Sequence, residues 1–170
     1  MLLQAVRKIF IKKKIENKLL DNGQFPEVYF KEKSPSVLIL VGEEESGNLK
    51  GILANELNIP LPNIELLKFC KKIKKGQREE SQFSGDDFGW FGKIKSKKIE
   101  KLVRKESDVL LNYAIGNLYI DYLASISNAK FKVAYSNNDK RLYDLMINVK
   151  EFNTAIFNSE LKKYLNILNK

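Results

Sequence analysis

Residues 36–41 read SVLILV, five apolar side chains in succession after a single serine. A strand with one face in water alternates apolar and polar positions, whereas an unbroken apolar strand has to be covered on both faces. Ser34-Pro35 before it and Gly42 after it bound the run too tightly for a helix. This stretch therefore asks for a sheet with a helix layer on each side.

The rest of the chain supplies those layers in alternation. GNLKGILANELN places Leu49, Ile52, Leu53 and Leu57 at helical spacing, closed by Pro60 and Pro62. NIELLKFC reads as a second strand, and a long connection runs from about Lys71 to Lys95. Ser96 is placed as an N-cap for a helix with Ile99, Leu102 and Val103 on its apolar side. SDVLLNY reads as the third strand and NLYIDYLASIS as the helix after it. KFKVAY and YDLMINV read as the fourth and fifth strands, followed by a last helix from Phe152. The fold class expected is α/β: a Rossmann-like, three-layer domain with a mostly parallel sheet of about five strands. The connection 136–142 between the fourth and fifth strands is shorter than the dozen or so residues of a parallel crossover, so an antiparallel edge strand is expected there.

Ahead of the sheet, residues 1–22 read as a basic amphipathic helix. Leu2, Leu3, Val6, Ile9, Phe10, Ile15 and Leu19 fall near helical spacing among Lys8, Lys12, Lys13, Lys14 and Lys18, and Asn22-Gly23 stops the run. Such a helix can lie on an anionic membrane, enter a partner's groove, or dock on its own domain with its lysines in water. The docked arrangement is expected, beside a single α/β domain over residues 36–170.

Composition removes several chemistries. The chain of 170 residues has one cysteine, Cys70, and no histidine. A Ser-His-Asp triad, a Cys-His dyad and a His-containing metal site are excluded, and one thiol cannot hold a zinc ribbon or an Fe–S cluster. No tightly bound transition metal and no cofactor are expected. No apolar run reaches the length of about 18 residues that a membrane span requires. The N-terminus lacks a secretory leader pattern. A cytoplasmic protein, in places peripheral to the membrane, is the resulting expectation. The formal net charge of +9 and pI near 9.4 suit an acidic partner: an RNA-rich particle, an acidic protein or an anionic lipid surface.

Loops at strand ends are where a fold of this class binds ligands. GEEESG after the first strand has the Gly42…Gly47 spacing of a phosphate loop but lacks its Lys-Ser/Thr, and three glutamates would repel phosphate. Asp87-Phe88-Gly89 spells a kinase metal motif by chance, since the other kinase signatures are missing. The long connection is the most distinctive segment. SGDDFGWFGKIKSKK interleaves Gly85, Gly89 and Gly92 with Phe88, Trp90 and Phe91, after Asp86 and Asp87 and before Lys93. Trp90 is expected to be a buried anchor with its neighbours forming a functional rim. Basic runs frame this loop: residues 68–78 hold no acid, and residues 93–105 set seven cations against Glu100 alone. Asp86, Asp87, Phe88, Trp90, Phe91 and Lys93, with Asn112 and Tyr113 at the third strand's end, form the candidate site. Asp86 and Asp87 can serve Mg²⁺ as a carboxylate pair or a turn as caps.

DDFGWFGKIKS, SDVLLNY, ISNAKFKVAY and YDLMINV together resemble an uncharacterised family of short bacterial α/β proteins, a domain of unknown function, from about Val37 to the C-terminus. That resemblance implies the fold and no activity. ESDVLLNYAIGNLYIDYLASISNAKFKVAY is also similar to one strand–helix–strand unit of heptosyltransferase-like glycosyltransferases, which implies a Rossmann-like unit and carries no catalytic residue. The expected role is a non-enzymatic basic interaction module. The rival is a small-ligand binder or enzyme using the strand-end crevice, for a nucleotide or sugar-phosphate, with Asp, Lys or Tyr as its only acid–base groups.

Overall fold

The computed structural model describes residues 2–21, 34–45, 47–74, 76–149 and 153–168. Its centre is β1, Val37–Val41, with all five side chains buried. Leu38 and Leu40 point to one face of the sheet, and Val37, Ile39 and Val41 to the other. Each such side chain contributes about 1.5–3 kcal/mol by leaving water. β1 pairs in parallel with β2, Ile64–Phe69, and with β4, Ser107–Asn112. β5, Ala129–Tyr135, continues the sheet beyond β4.

Two features depart from the expected sheet. A sixth strand, β3, Gln82–Phe83, lies inside the long connection and pairs with β2. The last strand, β6, Leu145–Ile147, pairs with β5 in parallel, not antiparallel. Over the described residues the sheet is thus six-stranded and parallel, in the order β3-β2-β1-β4-β5-β6. The dozen-residue requirement presumes a helical crossover. Here residues 136–144 cross the face in two tight turns, with Asn138 N–H donating to Tyr135 O and Leu142 N–H to Asp139 O. Leu142 and Tyr143 are buried in the core beneath, so this loop does the covering that a helix would do.

Among the described residues, five α-helices flank the sheet. On one face lie α2, Leu49–Leu57, and α5, Thr154–Leu168, over Val37, Ile39, Val109, Leu111 and Val133. The other face carries α1, Leu2–Asp21, α3, Lys97–Arg104, and α4, Leu118–Ile126. Their starts follow capping chemistry: Asn48, Ser96 and Asn117 accept hydrogen bonds from amides of the first turns of α2, α3 and α4. α1 buries Ile11 and Ile15 against this core. Leu3 and Ile9, which share its apolar pattern, are exposed.

Candidate functional site

The distinctive loop after β3 is built in two storeys. Ser84 starts it with a reciprocal cap: its hydroxyl accepts from the Asp86 amide at 3.3 Å, and the Asp87 carboxylate accepts from the Ser84 amide at 2.8 Å. Arg78 Nη2 also reaches Asp87 at 2.9 Å. Asp87 is therefore engaged on both sides as a cap. Asp86 faces solvent, 3.5 Å from Arg7 Nη1. Asp87 thus caps the turn while Asp86 faces water, and among the described residues no three His, Cys, Asp or Glu side chains gather as a metal site. Cys70 is buried, and burial raises its thiol pKa.

Phe88 plugs the core. It is fully buried, with ring centroids of Tyr119, Tyr122 and Phe83 at 5.0, 6.0 and 6.3 Å. From it the chain makes a small hairpin. Phe88 and Ile94 form an antiparallel bridge, Gly89 N–H donates to Lys93 O at 2.7 Å, and Gly92 N–H donates to Gly89 O at 3.0 Å. This is the three-residue hairpin loop that ends in a left-handed residue, and Gly92 fills that place at φ 69°. A Cβ on Gly92 would also stand 3.1 Å from Ile11 Cγ1, so the glycine lets α1 pass close by.

Trp90 and Phe91 occupy the corner of that turn. They are 57% and 68% exposed, so Trp90 is not the buried anchor expected of it; Phe88 has that place. The reason lies in the turn. Its corner residues project away from the strands that hold its base, whereas Phe88, two residues before the hairpin loop, points down into the rings. Phe91 meets Phe10 of α1 edge to face at 5.0 Å. Arg7 donates to the Gly85 carbonyl, tying the same helix to the base of the loop. Lys14 lies 5.8 Å above the Tyr122 ring, and Arg141 pairs with Glu16 at 2.9 Å near the helix's other end.

Asn112 and Tyr113 do not join this loop. They leave β4 on opposite faces of the sheet. Asn112 donates to Tyr143 Oη at 2.6 Å and accepts from the Ala114 amide at 2.8 Å. Tyr143 in turn donates to Asp121 Oδ1 at 3.2 Å. Tyr113 donates to Asn158 Oδ1 at 2.6 Å, and Asn158 donates to Glu56 Oε2 at 2.7 Å. Both residues are buried and tie helices or loops to β4. Burial pushes the phenols of Tyr113 and Tyr143 well above their ordinary range, so both stay protonated near neutrality. Lys93 is exposed beside the hairpin tip.

Sequence reasoning missed Arg7 and Ile11. Their spacing of four residues, with Lys14 and Ile15 following, marks one helix face and was the available signal.

A model for a family of unknown function (DUF6913) matches residues 7–168, and the chain belongs to that family. No curated protein and no solved structure matches it, so the glycosyltransferase likeness gains no support.

Proposed function

We propose that this family member is a peripheral module that docks on anionic membrane surfaces through the 89–92 hairpin tip and the outer face of α1. The observation that carries this reading is a pinned turn offering Trp90 and Phe91 to solvent. A rigid loop loses little conformational freedom when its tip enters another phase. Tryptophan is the side chain best suited to the headgroup boundary.

The neighbouring helix extends the surface. At 3.6 residues per turn, Leu3, Val6 and Phe10 share one side of α1, and Ile9 borders them. That side faces away from buried Ile11 and Ile15, and Ile9 is 65% exposed. Phe10 joins it to the hairpin through Phe91. Lys13 on this side of the helix and Lys93 and Lys95 beside the tip are exposed cations. Lysines near an anionic bilayer contribute about 1 kcal/mol each. No helix of the described residues is long and apolar enough to cross a membrane, which leaves surface attachment as the mode.

Single-stranded RNA is the competing partner, because bases stack on exposed rings. Exposed Leu3 and Ile9 have no use in stacking but do suit acyl chains. The test is flotation of the full chain with vesicles of phosphatidylserine and phosphatidylcholine against phosphatidylcholine alone, alongside a labelled RNA titration. The expected result is flotation with the anionic vesicles only, a blue shift of the parent's Trp90 emission, and loss of flotation in Trp90→Ser/Phe91→Ser. Unaltered flotation of that variant, or none by the parent at low salt, would overturn the reading. RNA binding that quenches Trp90 without vesicle binding would transfer the surface to nucleic acid.

A further inference from the structure

Beyond that surface, the sheet has a second feature on the opposite flank of α1. After β1 the chain turns to α2 on one face, and after β4 it turns to α4 on the other. β1 and β4 are neighbours, so their carboxyl ends part and leave a crevice, the place where parallel α/β sheets take up ligands. A cleft of about 500 Å³ lies there. That is within the size range of small-molecule sites. A second cavity, of about 110 Å³, sits at the amino ends of the strands beside Ser36 and Glu65, away from this crevice.

Lys8 and Lys12 of α1 and Lys71 after β2 line the larger cleft, with Glu44 as the carboxylate in its lining and Glu43 3.9 Å from Lys71 Nζ. Lys8 and Lys12 are one turn apart, while Phe10 between them points the other way to Phe91. The loop Ala114–Asn117 brings the amino end of α4 to the same cleft, where the helix dipole favours negative charge. Phe69 and Tyr119, stacked at 5.5 Å, and Ile115, 43% exposed, supply apolar walls.

We infer that this cleft binds a small phosphomonoester of about mononucleotide size, with its phosphate among Lys8, Lys12 and Lys71 and its ring against Phe69, Tyr119 and Ile115. The chemistry selects that class. Three lysines in one lining outnumber its single carboxylate and want a compact anion, and the aromatic wall wants a flat or cyclic body. A dinucleotide does not fit the pattern, because the loop after β1, where those ligands meet glycine-rich backbone, carries Glu43, Glu44 and Glu45 instead.

The experiment titrates the full chain at low salt with adenosine 5′-monophosphate, glucose 6-phosphate and inorganic phosphate, with adenosine as the uncharged control, by calorimetry and thermal shift. At least one phosphomonoester is expected to bind saturably, phosphate to compete with it, and adenosine to do neither. Lys12→Gln/Lys71→Gln should weaken binding by about tenfold or more, as for lost charged hydrogen bonds. Both lysines are exposed, so the unliganded melting midpoint should not move. Trp90→Ser/Phe91→Ser should bind the anion like the parent, which separates this site from the membrane surface. Absence of saturable binding by all three anions, or equal affinity in the lysine variant, overturns the inference.

Discussion

The hairpin after β3 and the end of β4 carry the same kinds of residue to opposite fates. Each holds aromatic and polar side chains that sequence alone nominates for function. The hairpin turns its base into the core and its tip into water, so Phe88 is buried and Trp90 is not. At β4, Asn112 and Tyr113 stay inside the sheet layers, bonded to Tyr143, the Ala114 amide and Asn158. Residue type does not separate an exposed ring from a strut. Position on a turn corner or on a central strand does, because only the corner can shed its covering without opening the core.

The sharpest way to test this contrast is to truncate the two hairpin aromatics separately. Phe88→Ala should cost about 3–5 kcal/mol, as for other fully buried large aromatics. Trp90→Ala should change stability by no more than about 0.5 kcal/mol, as for a surface site. Urea unfolding of both variants gives the answer, and similar losses in the two would erase the distinction.

The end of β4 should respond next most strongly. Asn112→Ala leaves the Ala114 amide without its acceptor and takes from the Tyr143 hydroxyl the hydrogen bond it accepts, at a cost of about 2–3 kcal/mol. A surface-like response, within the scatter of repeated unfolding curves, would show that this asparagine is free for other work.

The smallest effect concerns the far end of the same relay and depends on pH. Burial, partly offset by the Tyr143 hydrogen bond and reinforced by Asp139, pushes the Asp121 carboxyl from an ordinary 3.8 up to about 6. Between those values the folded chain holds a proton that the unfolded chain has lost. Stability therefore falls as pH rises through this window, and above it the cost of the buried carboxylate is fully present. Asp121→Asn keeps an acceptor for Tyr143 and removes the charge. It should be more stable than the parent by about 1–2 kcal/mol at neutral pH and no different below about pH 4. Equal unfolding midpoints at both pH values would remove Asp121 from the relay's energetics.

Much of the scaffold was legible because it depends on near neighbours. The unbroken VLILV run specified a strand covered on both faces, and β1 is buried at every position. Ser96 marked the start of α3 through a side chain that reaches only three residues ahead. The 2–21 helix followed from its period and from Asn22-Gly23. Residues 22 and 23 themselves, and Phe152, lie outside the described residues.

What remained for tertiary structure was set by contacts between distant parts of the chain. Local pattern cannot say which stripe of α1 will meet the core, since Leu3, Ile9, Ile11 and Ile15 are equally apolar. Arg7 at Gly85 and Ile11 against Gly92 decide it across more than seventy positions. Crossover length alone suggested an antiparallel β6, but Leu142 and Tyr143 found burial under the loop and brought the strand back in parallel. Trp90 reads as a core residue by hydrophobicity. It stands in solvent because Phe88 had already filled the space among Tyr119, Tyr122 and Phe83, and a turn corner has no second interior to enter. Periodicity and capping are short-range and lie in the sequence, whereas strand order, helix docking and the exposure of a turn follow from which distant surfaces fit together first.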